Sequence, residues 1–273
     1  MSMSRREFLP LTAALSGVAA AASGAAASLE RKSPMKSAPP TPPVDPAYRI
    51  RNHHIQQSVM GWCYNPMHGL TLARHAKDIG LSAIEGIDRS LYKEARAMGL
   101  AISLVNSHSF NNGPCNPAFR DEVIAKLTES IETAAAVGSR KVITFTGMKF
   151  EGMDRERAIR DCLDTWKKVL PLAESRDVTL CLEHLNSRDN THPMKGHPGY
   201  FGDDVEFCVD LVKRIGSPHF KLLFDIYHVS IMNGDVIRRI RTHKDVIGHY
   251  HTAGNPGRAE LDDTQEINYP PII

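Results

Sequence analysis

Seven short apolar runs alternate with helical patterns from about residue 48 onward, and this alternation constrains the fold more than any other feature. The runs are Ile55–Trp62, Ser82–Gly86, Ala101–Val105, Lys141–Phe145, Val178–Glu183, Phe220–Asp225 and Val246–His251. The helical patterns are Leu70–Ile79, Leu91–Met98, Asp121–Val137, Arg155–Glu174, Asp204–Ile215 and Gly234–His243. Short runs that are apolar throughout are typical of parallel strands buried on both faces. We therefore predict a parallel α/β fold.

The position of the polar residues selects one parallel architecture. No G-x-G-x-x-G motif follows the first strand, and polar clusters follow strands 5, 6 and 7 instead of meeting at one central crevice. Both observations favour a TIM-type (β/α)8 barrel over a doubly wound sheet. Seven strands precede Ile273, so we expect a barrel truncated after strand 7, with strand 8 and the last helix absent.

The N-terminal region predicts export and contributes nothing to the barrel. Ser4-Arg5-Arg6-Glu7-Phe8-Leu9 is typical of a twin-arginine signal, and Ala25-Ala26-Ala27 offers a small-residue cleavage site. We predict a signal peptide over residues 1–27, a Pro-rich disordered linker over 28–46 and the barrel domain over 47–273. The mature protein is expected in the periplasm, without stable membrane insertion, because the apolar stretch is short and interrupted.

Charge and cysteine usage narrow the range of partners. The 33 basic and 31 acidic residues give a net charge of +2, and no basic stripe is evident, so we expect no nucleic-acid partner. A small sugar or hydroxy-acid substrate is favoured instead, and a homo-oligomer is left open.

The five cysteines include no CxxC pair, which argues against a zinc knuckle or a thioredoxin-type motif. Cys181 and Cys208 lie in apolar runs and are predicted to be core residues.

Three successive strands end in a side chain that can bind a metal ion. Glu183, Asp225 and His251 each follow an apolar run. Because the carboxyl ends of parallel barrel strands meet at one face, we expect these groups to converge. Two carboxylates and an imidazole suit Mn²⁺, Mg²⁺, Co²⁺ or Zn²⁺. The sequence therefore predicts a divalent metal site.

Further polar residues surround this predicted site. His228 and Arg258 follow the ligands closely enough to meet substrate oxygens, and the guanidinium can bind a carboxylate or phosphate. His249 faces the same side as His251 and is predicted to be a hydrogen-bonded core histidine or a support for the ligands. Glu85 and His108 stand at earlier strand ends. Glu85 either contacts substrate or closes a barrel layer, and His108 either binds substrate or caps a loop.

Four blocks of sequence carry a resemblance to a known family. They are Glu183-His184-Leu185-Asn186 followed by Pro198-Gly199-Tyr200, then Phe224-Asp225-Ile226-Tyr227-His228, then Gly248-His249-Tyr250-His251-Thr252-Ala253-Gly254-Asn255-Pro256-Gly257-Arg258, and Glu266-Ile267-Asn268-Tyr269. Together they resemble the hydroxypyruvate isomerase family, within the xylose-isomerase-like sugar isomerase and epimerase barrels. The similarity runs from about Ile55 to the end of the chain.

The resemblance implies a role for each matching residue. In the wider superfamily a Glu, an Asp, a His and a second Glu from strands 5 to 8 hold a divalent ion. Glu183, Asp225 and His251 match the first three, and Glu183 also matches one of two glutamates that move the proton. The second glutamate has no counterpart up to Ile273. His228 and Arg258 match substrate-contacting positions. Some hydroxypyruvate isomerases have Gln where His251 stands, so this chain is similar there to the metal-binding epimerases.

The implied activity is isomerisation of a small hydroxy-carbonyl compound through an ene-diolate, with hydroxypyruvate converted to tartronate semialdehyde as the leading candidate. If strand 8 is truly absent, we expect poor activity. A ketose 3-epimerase or an inosose isomerase is the alternative of the same class. From other classes, an inactive exported sugar-binding remnant and a metal-dependent abasic-site endonuclease-like hydrolase remain open.

Overall fold

A computed structural model describes residues 45–273, and its compact barrel unit runs from Ala47 to Ile273. The predicted signal peptide and all but the last two residues of the predicted linker lie outside the described residues. The strands are β1 (Ser58–Met60), β2 (Ala83–Glu85), β3 (Ala101–Ile102), β4 (Lys141–Thr144), β5 (Thr179–Glu183), β6 (Phe220–Asp225) and β7 (Ile247–His251). The helices are α1 (Gly69–Ile79), α2 (Tyr92–Ala97), α3 (Arg120–Val137), α4 (Arg155–Ser175), α5 (Val205–Ile215), α6 (Ile226–Met232) and α7 (Val236–His243).

The strands form two groups, and within each group every strand pairs in parallel with its neighbours in the sequence. Strands β1 to β3 form one group and β4 to β7 another, and an isolated bridge from Val105 to Val142 links the groups. This sequential parallel order, with helices between strands, is the arrangement of a TIM-type barrel. Within residues 45–273 no pairing joins β7 to β1, so closure of the barrel by hydrogen bonds is not seen in that part of the chain.

Local sequence signals explain where the long helices begin and end. Asp154 accepts a hydrogen bond from the Arg157 backbone N–H at 2.6 Å and starts α4, and Asp204 does the same for α5 at 2.8 Å from Phe207. Gly138 ends α3 and Gly216 ends α5, both in the left-handed conformation that glycine adopts without strain.

Six of the seven strands are shorter than the sequence predicts, and β1 and β3 differ most. β1 stops at Met60 because Gly61–Tyr64 turn into a 3-10 helix. β3 covers two residues, and Val105 rejoins the sheet through its bridge to β4. Leu104 and Val105 remain buried beyond the end of β3, so the apolar pattern alone does not mark where that strand ends.

The core lies between the strands and the surrounding helices. Trp166 on α4, Leu127 on α3 and Phe220 on β6 are fully buried in it. Cys181 and Cys208 are buried free thiols, which confirms the prediction that they are core residues. Among residues 45–273, no helix is both long enough and apolar enough to span a bilayer.

Helix α6 was missed by the sequence reasoning because it follows β6 without a loop. Asp225 is the last residue of β6 and also the N-cap of α6, where its Oδ1 accepts the His228 backbone N–H at 3.1 Å. The cap fixes the direction in which the Asp225 carboxylate points. It also places His228 one helical turn away, on the same side as that carboxylate.

Candidate metal and substrate site

The three predicted metal ligands lie together at the carboxyl ends of β5, β6 and β7. Parallel pairing aligns Asp225 with His251, and Glu183 ends the strand on the other side of β6. The Nδ1 atom of His251 is 3.0 Å from Glu183 Oε1 and 4.0 Å from Asp225 Oδ2. One ligand atom from each of the three residues lies within 4.8 Å of the others. The geometry therefore allows all three to face one ion, while their role as ligands stays a prediction.

Arg258 adds a positive charge directly to this group. Its Nη2 donates to Asp225 Oδ2 at 3.0 Å, and its Nη1 donates to the Met194 carbonyl oxygen at 2.9 Å. The guanidinium carbon also lies 5.2 Å from the ring centre of Trp62 and 5.6 Å from that of Tyr227. Arg258, which we predict to bind a substrate carboxylate or phosphate, thus lies at the site with part of its donor capacity engaged by the protein.

Burial and charge act in opposite directions on Asp225. Burial alone would raise the pKa of its carboxyl, but His228, Arg258 and His251 stabilise the anion and bring the pKa well below its usual range. The carboxylate is 1% exposed and stays ionised at neutral pH. An ionised buried carboxylate with positive neighbours is suited to hold a cation or an anionic substrate through those neighbours.

Glu85 lies beside the predicted ligands and contacts the two histidines of β7. Its Oε2 is 3.1 Å from His249 Nε2, its Oε1 is 3.3 Å from His251 Nε2, and Ser103 Oγ donates to Oε2 at 2.7 Å. Glu85 is 4% exposed. Of the two hypotheses for Glu85, its burial among protein partners supports the one in which it fills a layer of the barrel interior. His249 is hydrogen-bonded to Glu85, which agrees with the hydrogen-bonded role that its spacing predicts.

The carboxylates on either side of His251 determine its protonation. Burial alone would lower the pKa of this imidazole, but the hydrogen bonds to Glu183 and Glu85 raise it well above its usual value. Glu85, His249 and His251 form a second compact group whose ligand atoms lie within 4.8 Å of one another. His251 therefore links two carboxylate groups, one through each ring nitrogen.

His228 is fully buried beside Asp225. Its Nε2 lies 3.7 Å from Asp225 Oδ2, and its Nδ1 accepts hydrogen bonds from Asn186. Burial lowers the pKa of His228 well below the usual value for an imidazole. The predicted substrate-contacting histidine therefore lies at the site as a neutral ring.

His108 is engaged by the protein on both nitrogens. Its Nδ1 is 3.0 Å from the Asn112 carbonyl oxygen, and its Nε2 is 2.9 Å from Thr144 Oγ1, which in turn accepts from Trp166 Nε1 at 3.0 Å. Burial lowers the pKa of His108. Of the two hypotheses for His108, this geometry supports the one in which the side chain caps its loop. Both ring nitrogens already have protein partners, so binding of substrate by His108 stays a prediction.

Three further residues, to which the sequence alone assigns no role, contact the side chains of the site. Asn186 binds His228, Tyr227 stacks near Arg258, and the Tyr200 hydroxyl donates to the Glu183 carbonyl oxygen at 2.9 Å while accepting the Thr146 N–H at 2.9 Å. Asn186 and Tyr200 fall in the blocks that carry the family resemblance, but their contacts depend on a loop fold that spacing does not reveal.

A family described as the xylose isomerase-like TIM barrel matches residues 68–273. The chain belongs to the xylose isomerase-like TIM barrel family. The match covers all three predicted ligands and six of the seven strands. The TIM-type fold class predicted from the strand order is thereby confirmed.

Curated relatives place the chain near the isomerases of this family. A 2-oxo-tetronate isomerase of Cupriavidus necator is 30% identical over 144 residues, which are 53% of this chain and 52% of that protein. The hydroxypyruvate isomerase of Escherichia coli is 26% identical over 155 residues, 57% of each chain. The chain thus spans about half the length of these two relatives. The predicted resemblance to hydroxypyruvate isomerases is confirmed.

A solved structure supports the same fold. The structure titled as an AP endonuclease, family 2, from Brucella melitensis superposes with a TM-score of 0.68 at 25% identity, covering 78% of this chain and 83% of that one. The 3-keto-D-glucoside 4-epimerase of Escherichia coli superposes with a TM-score of 0.61 at 17% identity, covering 76% and 84%. The second likeness bears on the fold alone.

Proposed function

We propose that this protein is a metal-dependent isomerase of small hydroxy-carbonyl acids, with hydroxypyruvate, converted to tartronate semialdehyde, as its leading substrate. The observation that carries the proposal is the convergence of Glu183, Asp225 and His251 beside Arg258. Two relatives with isomerase names add support. Both names describe oxo acids, and a guanidinium at the mouth of the site is the group that best pairs with their carboxylate.

The donor set fits a divalent ion. Two carboxylate oxygens and one imidazole nitrogen lie within 4.8 Å of one another, and carboxylate-rich sets with one imidazole favour Mn²⁺, Mg²⁺ or Co²⁺, with Zn²⁺ also accommodated. The Glu183 and Asp225 side chains are nearly fully buried, so an ion there would be shielded from bulk water. Such an ion would act as a Lewis acid that stabilises negative charge on a substrate oxygen.

The side chains of the site can perform the remaining chemistry. Glu183 would accept the proton from the carbon next to the carbonyl and return it to the former carbonyl carbon, while the hydroxyl proton passes to the former carbonyl oxygen, so that an α-hydroxy ketone becomes an α-hydroxy aldehyde. Arg258 would bind the substrate carboxylate, and His228 would contact a substrate oxygen. Burial of these groups excludes water, which strengthens each electrostatic contact in the site.

The abasic-site hydrolase has weaker support. The superposition on the Brucella melitensis structure shares the fold, but the net charge of +2 and the absence of a basic stripe in the sequence do not favour a nucleic-acid substrate. A ketose epimerase keeps one specific observation in its favour, since His251 stands where the metal-binding epimerases have histidine.

The test measures turnover and proton exchange together. The protein is loaded with Mn²⁺ and incubated with hydroxypyruvate in deuterium oxide, and the α proton is followed by NMR. We expect exchange and formation of the aldehyde. Glu183→Gln should reduce the rate by about 10²–10⁴, while Glu94→Gln on the exposed face of α2 serves as the matched control. Bound metal with no exchange would refute the isomerase proposal, and exchange on ketose sugars alone would favour the epimerase.

A further inference from the structure

The ring of His228 is held by two hydrogen-bond donors from a single residue. The backbone N–H of Asn186 lies 3.1 Å from Nδ1, and the side-chain amide nitrogen of Asn186 lies 2.7 Å from the same atom. A backbone N–H can only donate, so Nδ1 must act as the acceptor. An imidazole whose Nδ1 carries no proton is neutral, and its single proton therefore resides on Nε2.

The side chain of Asn186 is itself fixed in one orientation. Its Nδ2 also donates to the Lys195 carbonyl oxygen at 2.7 Å, and its Oδ1 accepts the Asp189 backbone N–H at 3.0 Å. Exchanging the amide oxygen and nitrogen would oppose like groups at both contacts. The amide thus presents N–H, and never C=O, to His228.

The opposite nitrogen of the ring is left available. Nε2 of His228 has no hydrogen-bond partner within residues 45–273, and the residue is fully buried. Its nearest carboxylate oxygen, Asp225 Oδ2, is 3.7 Å away and already accepts from Arg258. A buried N–H without a partner is destabilising, so such a group is usually completed by a ligand or water.

We propose that Asn186 is a positioning residue that locks His228 as an Nε2–H donor, and that this lock aims the donor at the substrate oxygen next to the reacting carbon, the contact already proposed for His228. The inference rests on the proposed isomerase function for the identity of the oxygen. The tautomer lock itself rests on hydrogen-bond geometry alone. A neutral imidazole that donates to a substrate oxygen can stabilise developing negative charge without giving up its proton.

The first experiment reads the tautomer directly. The full chain is labelled with ¹⁵N-histidine, and the two ring nitrogens of His228 are identified by their loss in His228→Gln. We expect the wild-type protein to show a protonated Nε2 and an unprotonated Nδ1. A protonated Nδ1 in the wild-type spectrum would overturn the proposal, and this measurement requires no variant of Asn186 to fold.

The second experiment replaces the side-chain donor to Nδ1 by an acceptor. Asn186→Asp replaces the amide donor by a carboxylate acceptor of the same size, which favours a proton on Nδ1. We expect the Nε2–H signal to be lost and kcat to fall by about 10²-fold, as for the loss of one donor to a developing oxyanion. Asn111→Asp, on an exposed loop, carries the same charge change as a control. Retention of both the Nε2–H signal and full kcat in Asn186→Asp would refute the lock.

A double-variant cycle separates positioning from a general structural effect. If Asn186 acts through His228, then Asn186→Asp should cost little further activity in a His228→Gln background. An equal loss in both backgrounds would show that Asn186 acts independently of His228 and would overturn the positioning role. Absence of turnover in the wild-type protein would instead count against the isomerase function, since the NMR result does not depend on turnover.

Discussion

Individual residues at the site perform their roles through neighbours, and Glu85 is the clearest case. It contacts both His249 and His251, and so it can orient the ring whose other nitrogen faces the predicted ion. A carboxylate behind a ligating imidazole fixes its tautomer and raises its basicity. Buried Glu85 thus contacts the predicted metal ligand His251 on the side of the ring that faces away from Glu183.

We predict that Glu85→Gln weakens metal binding by about 10–100-fold. The amide can accept from one histidine, but it presents an N–H to the other. Competition with a chelator for Mn²⁺ measures the affinity, and Glu94→Gln is the control for loss of a carboxylate. Unchanged affinity in Glu85→Gln would show that Glu85 does not position His251.

His108 predicts how stability responds to acid. Burial lowers its pKa in the folded protein, whereas in the unfolded chain its pKa is about 6.5. The unfolded state therefore binds the proton first as pH falls. The contribution of the neutral ring to stability is complete above about pH 6.5 and is lost as pH decreases toward the lowered pKa of the folded state.

For His108→Gln we expect lower stability at neutral pH and a weaker loss of stability on acidification. The amide oxygen can still accept from Thr144, but it does not titrate. Urea unfolding of both proteins at pH 7 and pH 5 measures the difference, and the other buried histidines contribute equally to both chains. An identical loss of stability in the two proteins would contradict this assignment.

At the scale of residues, the sequence predicts which side chains converge better than it predicts the residues that support them. Glu183, Asp225 and His251 were identifiable because each follows an apolar run, and parallel strands bring such positions to one face. Asn186 was not identifiable, because its orientation depends on a hydrogen bond to the carbonyl oxygen of Lys195, which lies in a loop further along the chain. Such contacts between a strand end and a distant loop have no periodicity that a sequence would show.

At the scale of elements, the loop from Asp189 to His197 contacts two side chains of the site. Its backbone carbonyls at Met194 and Lys195 accept from Arg258 and Asn186. Gly196 allows this close approach, since a Cβ there would lie 2.2 Å from the Asp189 carbonyl oxygen and 2.5 Å from Asn186 Oδ1. The loop must keep a residue without a side chain at this point.

Gly196→Ala should therefore displace the loop and disturb Asn186. We expect a destabilisation of about 1–3 kcal/mol, typical of overpacking, together with at least a ~10-fold lower kcat/KM. Thermal unfolding and steady-state kinetics measure the two effects. Gly152→Ala is the control for backbone strain without a clash, because its Cβ meets open space while its φ of +73° disfavours any side chain, so we expect it to lower stability without lowering kcat/KM. Equal effects in the two variants would argue against the contact with Asn186.

Strand and helix existence followed from the sequence, while some of their limits did not. All seven predicted strands are present, and the Phe220–Asp225 run is matched at both ends. Helix α6 was missed because Asp225 serves at once as strand end and helix cap. A transition without a loop carries no glycine or proline to mark it.

At the scale of the whole molecule, the N-terminal motif predicts the compartment. We propose that Arg5 and Arg6 direct twin-arginine export, which carries folded proteins and would suit a barrel loaded with its ion before transport. Replacing both arginines by lysine should leave the protein in the cytoplasm, as measured by cell fractionation. Periplasmic accumulation of the double variant would refute twin-arginine export, and a chain with only Lys32 and Lys36 changed to Arg is the charge-matched control.

The two tryptophans of the chain occupy environments that differ optically. Trp166 is fully buried and donates to Thr144, so its fluorescence follows the integrity of the core. Trp62 is half-buried at the mouth, 5.2 Å from the Arg258 guanidinium, so its emission responds to movement of that charge. With Trp166 replaced by Phe, the protein would carry a single built-in indicator of whether an anion occupies the site.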